Sequence, residues 1–219
     1  MRVLTWNVFH GRSQPPAGRD LFEAFATAIA GWPWDVALLQ EVPPWWPRPL
    51  AERAGASMRM NVTGRVLLPA AQRRLADRWP DVMKSWGGGS NAILVRGLRI
   101  AEHREERLRW LPERRWMHAV RLHDGSWMAN IHAQTQPRRR TERDVATAAA
   151  ALAQWTQAAR VVVFGGDFNI PDPVVPGMER IGGRGVDHVF ARGLRRAGGE
   201  RLDAGPLSDH APLLFSLRG

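Results

Sequence analysis

The chain has 219 residues, is 44 % hydrophobic and contains no cysteine. That length predicts one domain over 1–219 with a sizeable core, and the missing cysteines exclude disulfides, thiolate metal sites and a cysteine nucleophile. The formal net charge of +10 favours a polyanionic partner, because guanidinium groups grip phosphate in bidentate fashion. Of the 31 basic residues only Lys84 is a lysine, a bias that a GC-rich genome also produces.

Arg2 to Val8 reads as a strand with Asn7 near its end, which leaves no room for a signal peptide. No stretch approaches the roughly 18 apolar residues of a spanning helix, so a cytoplasmic protein is expected. Phe9-His10-Gly11 turns. Asp20 can cap a helix carrying Leu21, Phe22, Phe25 and Ile29 on one face, stopped near Gly31. Asp35 to Gln40 is a second buried strand, ending in Gln40-Glu41 and broken by Val42-Pro43-Pro44.

Pro47 to Ala54 suits a short helix and Ala70 to Trp79 has helical composition. Gly87-Gly88-Gly89 is a hinge or tight turn. Ser90 to Arg96 gives a strand containing Asn91, and Ile100 to Leu108 alternates like an exposed strand. Arg115 to Leu122 and Ser126 to His132 flank Asp124-Gly125, a hairpin signal. Thr141 and Asp144 suggest a capping box before a helical stripe of Val145, Ala148, Leu152, Trp155 and Ala159.

Val161 to Phe164 is an apolar run with three β-branched residues, read as a doubly buried strand. Gly165-Gly166-Asp167-Phe168-Asn169 follows. Asp167 and Asn169, two apart, can face one site; the alternative is an Asx turn. A proline loop, a Gly-rich turn and a short strand from Gly185 to Phe190 come next. Ser208-Asp209-His210 precedes a closing strand, Leu213 to Leu217. Interleaved helices and strands with one hairpin predict an α/β fold of two mixed sheets face to face, with helices outside.

Asn7, Glu41, His132, Asp167, Asn169, Asp187, Asp209 and His210 all stand at or just beyond strands. In the order Thr5-Trp6-Asn7, Gln40-Glu41, Asn130-Ile131-His132, Gly166-Asp167-Phe168-Asn169, Val186-Asp187-His188, Ser208-Asp209-His210 they resemble the endonuclease/exonuclease/phosphatase superfamily, whose fold is a four-layer α/β sandwich of the deoxyribonuclease I type. The resemblance covers residues 3 to 217.

It implies a divalent-metal-dependent hydrolase of phosphate esters. Glu41 would be the main ligand of Mg²⁺ or Mn²⁺, with Asn7 and Asp209 assisting. Asp167 would orient or deprotonate the attacking water and Asn169 would hold water or phosphate. His210, fixed by Asp187, would donate to a phosphoryl oxygen. His132 matches the second histidine of the deoxyribonuclease branch, although its carboxylate partner is missing; Asn91 is the available neighbour. The phosphate-contacting tyrosine of the abasic-site branch is absent, since the chain has no tyrosine.

Arg138, Arg139, Arg140 and Arg143 follow the His132 strand and can hold flanking phosphates or form a solvated helix start. Trp45 and Trp46 can stack on a base or pack. His10, His118, His123 and His188 read as structural or surface groups. The expected activity is a metal-dependent phosphodiesterase of in-line water attack, a nuclease on DNA. The alternatives are an enzyme for small or lipid phosphate esters and a non-catalytic binding module. Nothing in the sequence calls for an oligomer, so a monomer is expected.

Overall fold

The computed structural model describes residues 1–63, 69–79, 81, 89–111 and 114–219. Among them lie strands β1 (Arg2–Asn7), β2 (Val36–Val42), β3 (Ser57–Val62), β4 (Ser90–Val95), β5 (Ile100–Arg109), β6 (Arg115–Leu122), β7 (Trp127–His132), β8 (Val162–Asp167), β9 (Glu179–Arg184), β10 (Asp187–Arg192), β11 (Arg195–Arg201) and β12 (Leu213–Arg218). The helices are α1 (Phe22–Gly31), α2 (Pro47–Ala54), α3 (Pro69–Arg78) and α4 (Arg138–Trp155). Gly87 and Gly88 of the expected hinge lie outside the described residues.

The strands form two six-stranded sheets, ordered β11-β12-β1-β2-β4-β3 and β5-β6-β7-β8-β10-β9. Each holds one parallel pair at its middle, β1 with β2 and β7 with β8, connected through α1 and α4 respectively. All other pairings are antiparallel, so both sheets are mixed.

Strand alternation sorts the core into three layers. Leu4, Trp6, Ala37, Leu39 and Leu94 face outward and pack under α1 and α2, against Phe25, Ile29 and Leu50. Trp127, Ala129, Ile131, Val162 and Phe164 face the other way, under Val145, Ala148 and Leu152 of α4. Between the sheets lie Val3, Val36, Leu38, Ile93, Val120, Met128, Val163 and Val189. Helix, sheet, sheet and helix make the four-layer α/β sandwich.

Three strands are not read from the sequence: β9 and β11, which carry almost no apolar residue, and β3, whose Met58, Met60 and Val62 alternate and whose methionines pack beside α1 and α2. All three are sheet edges. An edge strand with one solvated face and no covering helix needs little hydrophobicity, and β11 is almost wholly exposed. The fourth edge, β5, is legible because its residues alternate.

The capping box is not formed as expected. Helix α4 starts earlier, at Arg138, with Pro137 as its N-cap residue. Thr141 lies inside the helix and donates its hydroxyl to Gln134 O at 2.5 Å, while Asp144 Oδ2 accepts from Gln134 N at 3.3 Å. These residues tie down the loop after β7 instead of the helix end. Trp46 is core: it is buried against Phe22 and Phe25 and fills the space beside Gly11, where a side chain would collide with its ring.

Gly166 has φ +135°, and a Cβ there would run into the carbonyl of Ile131. That obstacle is backbone and cannot rotate away. Replacing Gly166 with Ala should cost about 2 kcal/mol or more. Gly177, at φ +73° in open space, carries only the conformational penalty of about 1 kcal/mol on replacement. Urea unfolding of the two Ala variants checks this; equal losses would refute the collision.

Candidate active site

The apolar inter-sheet layer turns polar at one end. Each polar residue there is in phase with the apolar inter-sheet residues of its own strand: Asn7 with Val3, Gln40 with Leu38, Asn91 with Ile93, Asn130 and His132 with Met128, Asp167 with Val163, Asp187 with Val189. Register then brings them level. His132 and Asp187 both pair with Asp167 across β7, β8 and β10, and Asn7 pairs with Gln40. Gln40 Nε2 donates to Asn130 Oδ1 at 2.8 Å, and Asn130 Nδ2 donates to Leu39 O at 2.8 Å, bridging the two sheets beneath the site.

Glu41 breaks this alternation. The pairing of β2 with β4 slips between Leu39 and Val42, so that Gln40 and Glu41 both stand opposite Asn91. A bulge of this kind re-aims a side chain, and Glu41 takes φ 53°. Its carboxylate then meets two histidines: His10 Nε2 at 3.1 Å and His132 Nε2 at 3.6 Å.

Asp167 is the centre. Its Oδ2 accepts from Asn7 Nδ2 at 3.0 Å and its Oδ1 from Asn169 N at 2.9 Å. The second bond is an Asx turn, so the turn and the site coexist in one segment. Phe168 points away and packs on Phe164 and Phe190. Burial, with the charge of Asp187 added, pushes the Asp167 carboxyl up to about 7. Asn169 donates its side-chain amide to Ala133 O at 2.9 Å, which fixes the loop and leaves its Oδ1 for a ligand.

His210 Nδ1 donates to Asp187 Oδ2 at 2.7 Å, which sets the tautomer, and its Nε2 lies 3.9 Å from Asp167 Oδ2. Burial alone would lower this imidazole, but Asp187, Asp167 and Asp209 together carry it up to about 9. The Ser208 hydroxyl donates to Asn7 O at 2.6 Å and accepts from His210 N at 3.0 Å, locking the terminal motif onto β1.

Among the described residues no carboxylate hydrogen-bonds His132, although Glu41 and Asp167 stand 3.6 and 3.7 Å from its Nε2. Arg115 Nη1 stands 2.8 Å from its Nδ1 and 2.9 Å from its Nε2. Burial and then the charges of Arg115, His10 and His210 hold its pKa well below the usual range, so it is neutral. Its Nε2 lies 3.7 Å from Asp167 Oδ2. Asn91 does not serve it, turning its amide to Trp116 O at 3.5 Å instead.

Among the expected site residues, Asn7, Glu41, His132, Asp167, Asn169, Asp187 and His210 come together. Asp209 is exposed beside them and acts on Arg12 and His210 through its charge. Arg138 is paired with Glu142 at 2.7 Å, whereas Arg139 and Arg140 are exposed. Reading the sequence missed His10, Arg12 and Arg115. His10 is no surface group, since it binds Glu41; the signal was its place three residues after Asn7. Arg12 is buried near Glu41 and Asp209. His118 and His188 do stay structural, bonded to His103 and to Ile170 O.

Among the described residues one cluster of His and carboxylate groups is compact enough to receive a cation. The ligand atoms of Asp167, Asp187 and His210 lie within 4.8 Å of one another. A protonated imidazole is not a ligand, however, and His210 holds its proton to about 9. Glu41, Asn7 and Asp209 carry oxygen donors of the kind hard divalent ions prefer; Asn7 Oδ1 also accepts from Phe9 N at 3.0 Å.

Among curated proteins none matches the chain by sequence. Solved structures match throughout its length. An endonuclease/exonuclease/phosphatase from Beutenbergia cavernae is 20 % identical with a TM-score of 0.75, covering 100 % of this chain and 71 % of its own. A mannosyl-6-phosphatase from Bacteroides thetaiotaomicron is 14 % identical with a TM-score of 0.74 over 100 % of both chains. D. rerio TDP2 complexed with a single-strand DNA product is 15 % identical with a TM-score of 0.69, over 100 % of this chain and 99 % of its own. No helix among the described residues is long and apolar enough to cross a membrane. The Endonuclease/Exonuclease/phosphatase family profile matches residues 4–210, and the chain belongs to that family of phosphoesterase hydrolases.

Proposed function

We propose that the chain, as one catalytic unit over residues 1–219, hydrolyses phosphodiester bonds by in-line attack of water, with Mg²⁺ or Mn²⁺, and that its substrate is nucleic acid, DNA foremost. The observation that carries this reading is Asp167 held between two histidines of opposite character. His210 on one side is fixed by Asp187 and charged; His132 on the other is buried and neutral.

The chemistry follows from those states. Asp167, aligned by Asn7 Nδ2 and Asn169 N, accepts the proton of the attacking water. Its raised pKa makes it a base of useful strength near neutrality. His210 presents Nε2–H as a cationic donor to the phosphoryl oxygen that gains charge. His132, backed by Arg115, donates to a phosphate oxygen or the leaving group as a neutral imidazole. Asn169 Oδ1 holds water or phosphate. Glu41, Asn7 and Asp209 would hold the divalent ion, which when bound offsets the charge developing on the phosphate. His10 steadies the Glu41 carboxylate.

The net charge of +10 and the DNA product in the TDP2 relative support a nucleic acid. A phosphatase on a small phosphate ester is the second reading, favoured by the Bacteroides relative with the same fold.

Asp167→Asn, His210→Ala and Glu41→Ala should each lower kcat on bis-(p-nitrophenyl) phosphate by about 10²-fold or more, and EDTA should abolish turnover until Mn²⁺ is restored. Near-normal rates for purified His210→Ala would refute the assignment.

The His210–Asp187 pair also predicts a pH effect on stability in the metal-free protein. The imidazole is raised from its ordinary 6.5 to about 9 on folding, so protonation stabilises the fold. That contribution is complete below about 6.5 and disappears as pH rises through about 9. Thermal melts in EDTA should therefore show wild type above His210→Ala by a constant gap up to the first value, closing toward the second. A gap that widens with pH would contradict the sign.

Cleavage of plasmid DNA should fall steeply with ionic strength while turnover of the small diester changes little. Equal salt dependence would favour the small-ester reading.

A further inference from the structure

We propose that the groove between the end of the β5–β6 hairpin and the first turns of α4 binds a single polynucleotide strand and leads it to His132. Arg109, Leu111, Arg139, Arg140 and Arg143 line this open groove. Arg139, Arg140 and Arg143 are exposed and, among the described residues, have no acidic partner. The first turn of α4 contains no acidic residue, so its arginines face the positive end of the helix dipole, an arrangement that favours an outside anion.

Trp110 and Leu111 at the hairpin end are 51 % and 69 % exposed. The guanidinium of Arg107 lies 4.5 Å from the Trp110 ring centroid and that of Arg114 lies 4.7 Å away. An exposed indole flanked by guanidinium planes beside a row of cations is the chemistry of a base platform next to a phosphate track. Stacking of this kind needs an unpaired base, which a duplex does not offer.

Contacts join the groove to the active site. Arg109 Nη2 donates to Asp144 Oδ1 at 2.8 Å and to Arg140 O at 3.2 Å, pinning the hairpin to α4. Arg109 pairs in register with Arg115, the residue that covers His132. A strand lying along the arginines with a base on Trp110 therefore borders the imidazole beside Asp167. The inference rests on the phosphodiesterase reading for its purpose, but strand binding can be measured without catalysis.

The test is fluorescence anisotropy in EDTA, using labelled oligothymidylate and oligouridylate of about twelve nucleotides and a duplex of equal length. The single strands should bind, and the duplex at least tenfold more weakly. Arg139→Ala with Arg140→Ala should weaken strand binding at least tenfold and reduce the log K against log salt slope by about 1.4. Arg48→Ala with Arg53→Ala on α2 removes the same charge and should change little. Trp110→Ala should weaken binding about fivefold or more with the salt slope kept, and Trp110→Phe should retain most of it.

Duplex binding as tight as strand binding, equal effects of the two arginine pairs, or an inert Trp110→Ala would overturn the groove. A preference between the two single strands identifies the natural one, and either supports the groove. Wild-type turnover of bis-(p-nitrophenyl) phosphate is read separately. Strand binding without turnover leaves the groove standing and removes the phosphodiesterase reading; turnover without strand binding does the reverse.

Discussion

The alternation of side chains on strands that face one another between two sheets is the constraint on which everything else rests. A strand sends every second residue inward, so Val3 and Asn7, Leu38 and Gln40, Met128 and His132, Val163 and Asp167 share faces. Over most of the layer the inward residues are apolar and hold the sheets together. At one end they are amide, carboxylate and imidazole. The dry packing that stabilises the fold is thus continuous with the polar end and fixes the height and direction of every group in it. A shift of one residue in any central strand would send a site residue into the helix-covered face.

The polar end is costly by design. Asp167 is buried between Asp187 and two imidazoles, and its raised pKa expresses the poor solvation of its charge. The same burial keeps His132 neutral, while a direct hydrogen bond to Asp187 keeps His210 charged. Two imidazoles within 4 Å of the Asp167 carboxylate are therefore shifted in opposite directions. The backbone bears strain as well. All five non-glycine residues with positive φ among the described ones, Phe9, His10, Glu41, Asn169 and Ser208, belong to the segments that shape the site. Each left-handed residue costs on the order of 1 kcal/mol, which only a rigid frame can sustain.

The frame and the arginine groove proposed to bind a strand are built differently. Sheet ends hold the groups proposed for chemistry, buried and tied by short hydrogen bonds. The arginine groove lies on a hairpin end and a helix start, where exposed side chains reach a long anion without distorting the core. Arg115 and Arg109 connect them, one touching His132 and the other anchoring α4. The same sandwich recurs in D. rerio TDP2 and in a mannosyl-6-phosphatase, so the fold alone does not name the phosphate ester.

Much of this was legible in the sequence because buried elements announce themselves. The central strands are apolar runs ending in Asn, Glu, His or Asp, and seven of the eight expected catalytic and metal residues do converge. The edge strands β9 and β11 were silent because solvated edges need no apolar pattern. The start of α4 was misread because Thr141 and Asp144 bond Gln134 in the loop after β7 instead of capping the helix, an option that the capping pattern cannot exclude. The roles of His10 and Arg115 came only with the tertiary structure. His10 matters because a bulge in β2 turns Glu41 toward it, and Arg115 because β6 lies beside β7 and its guanidinium reaches the His132 ring. The sequence by itself determined which residues could carry the chemistry, since composition and alternation are local. Which of them touch, and which are charged, was decided by strand register and burial, which belong to the assembled sheets alone.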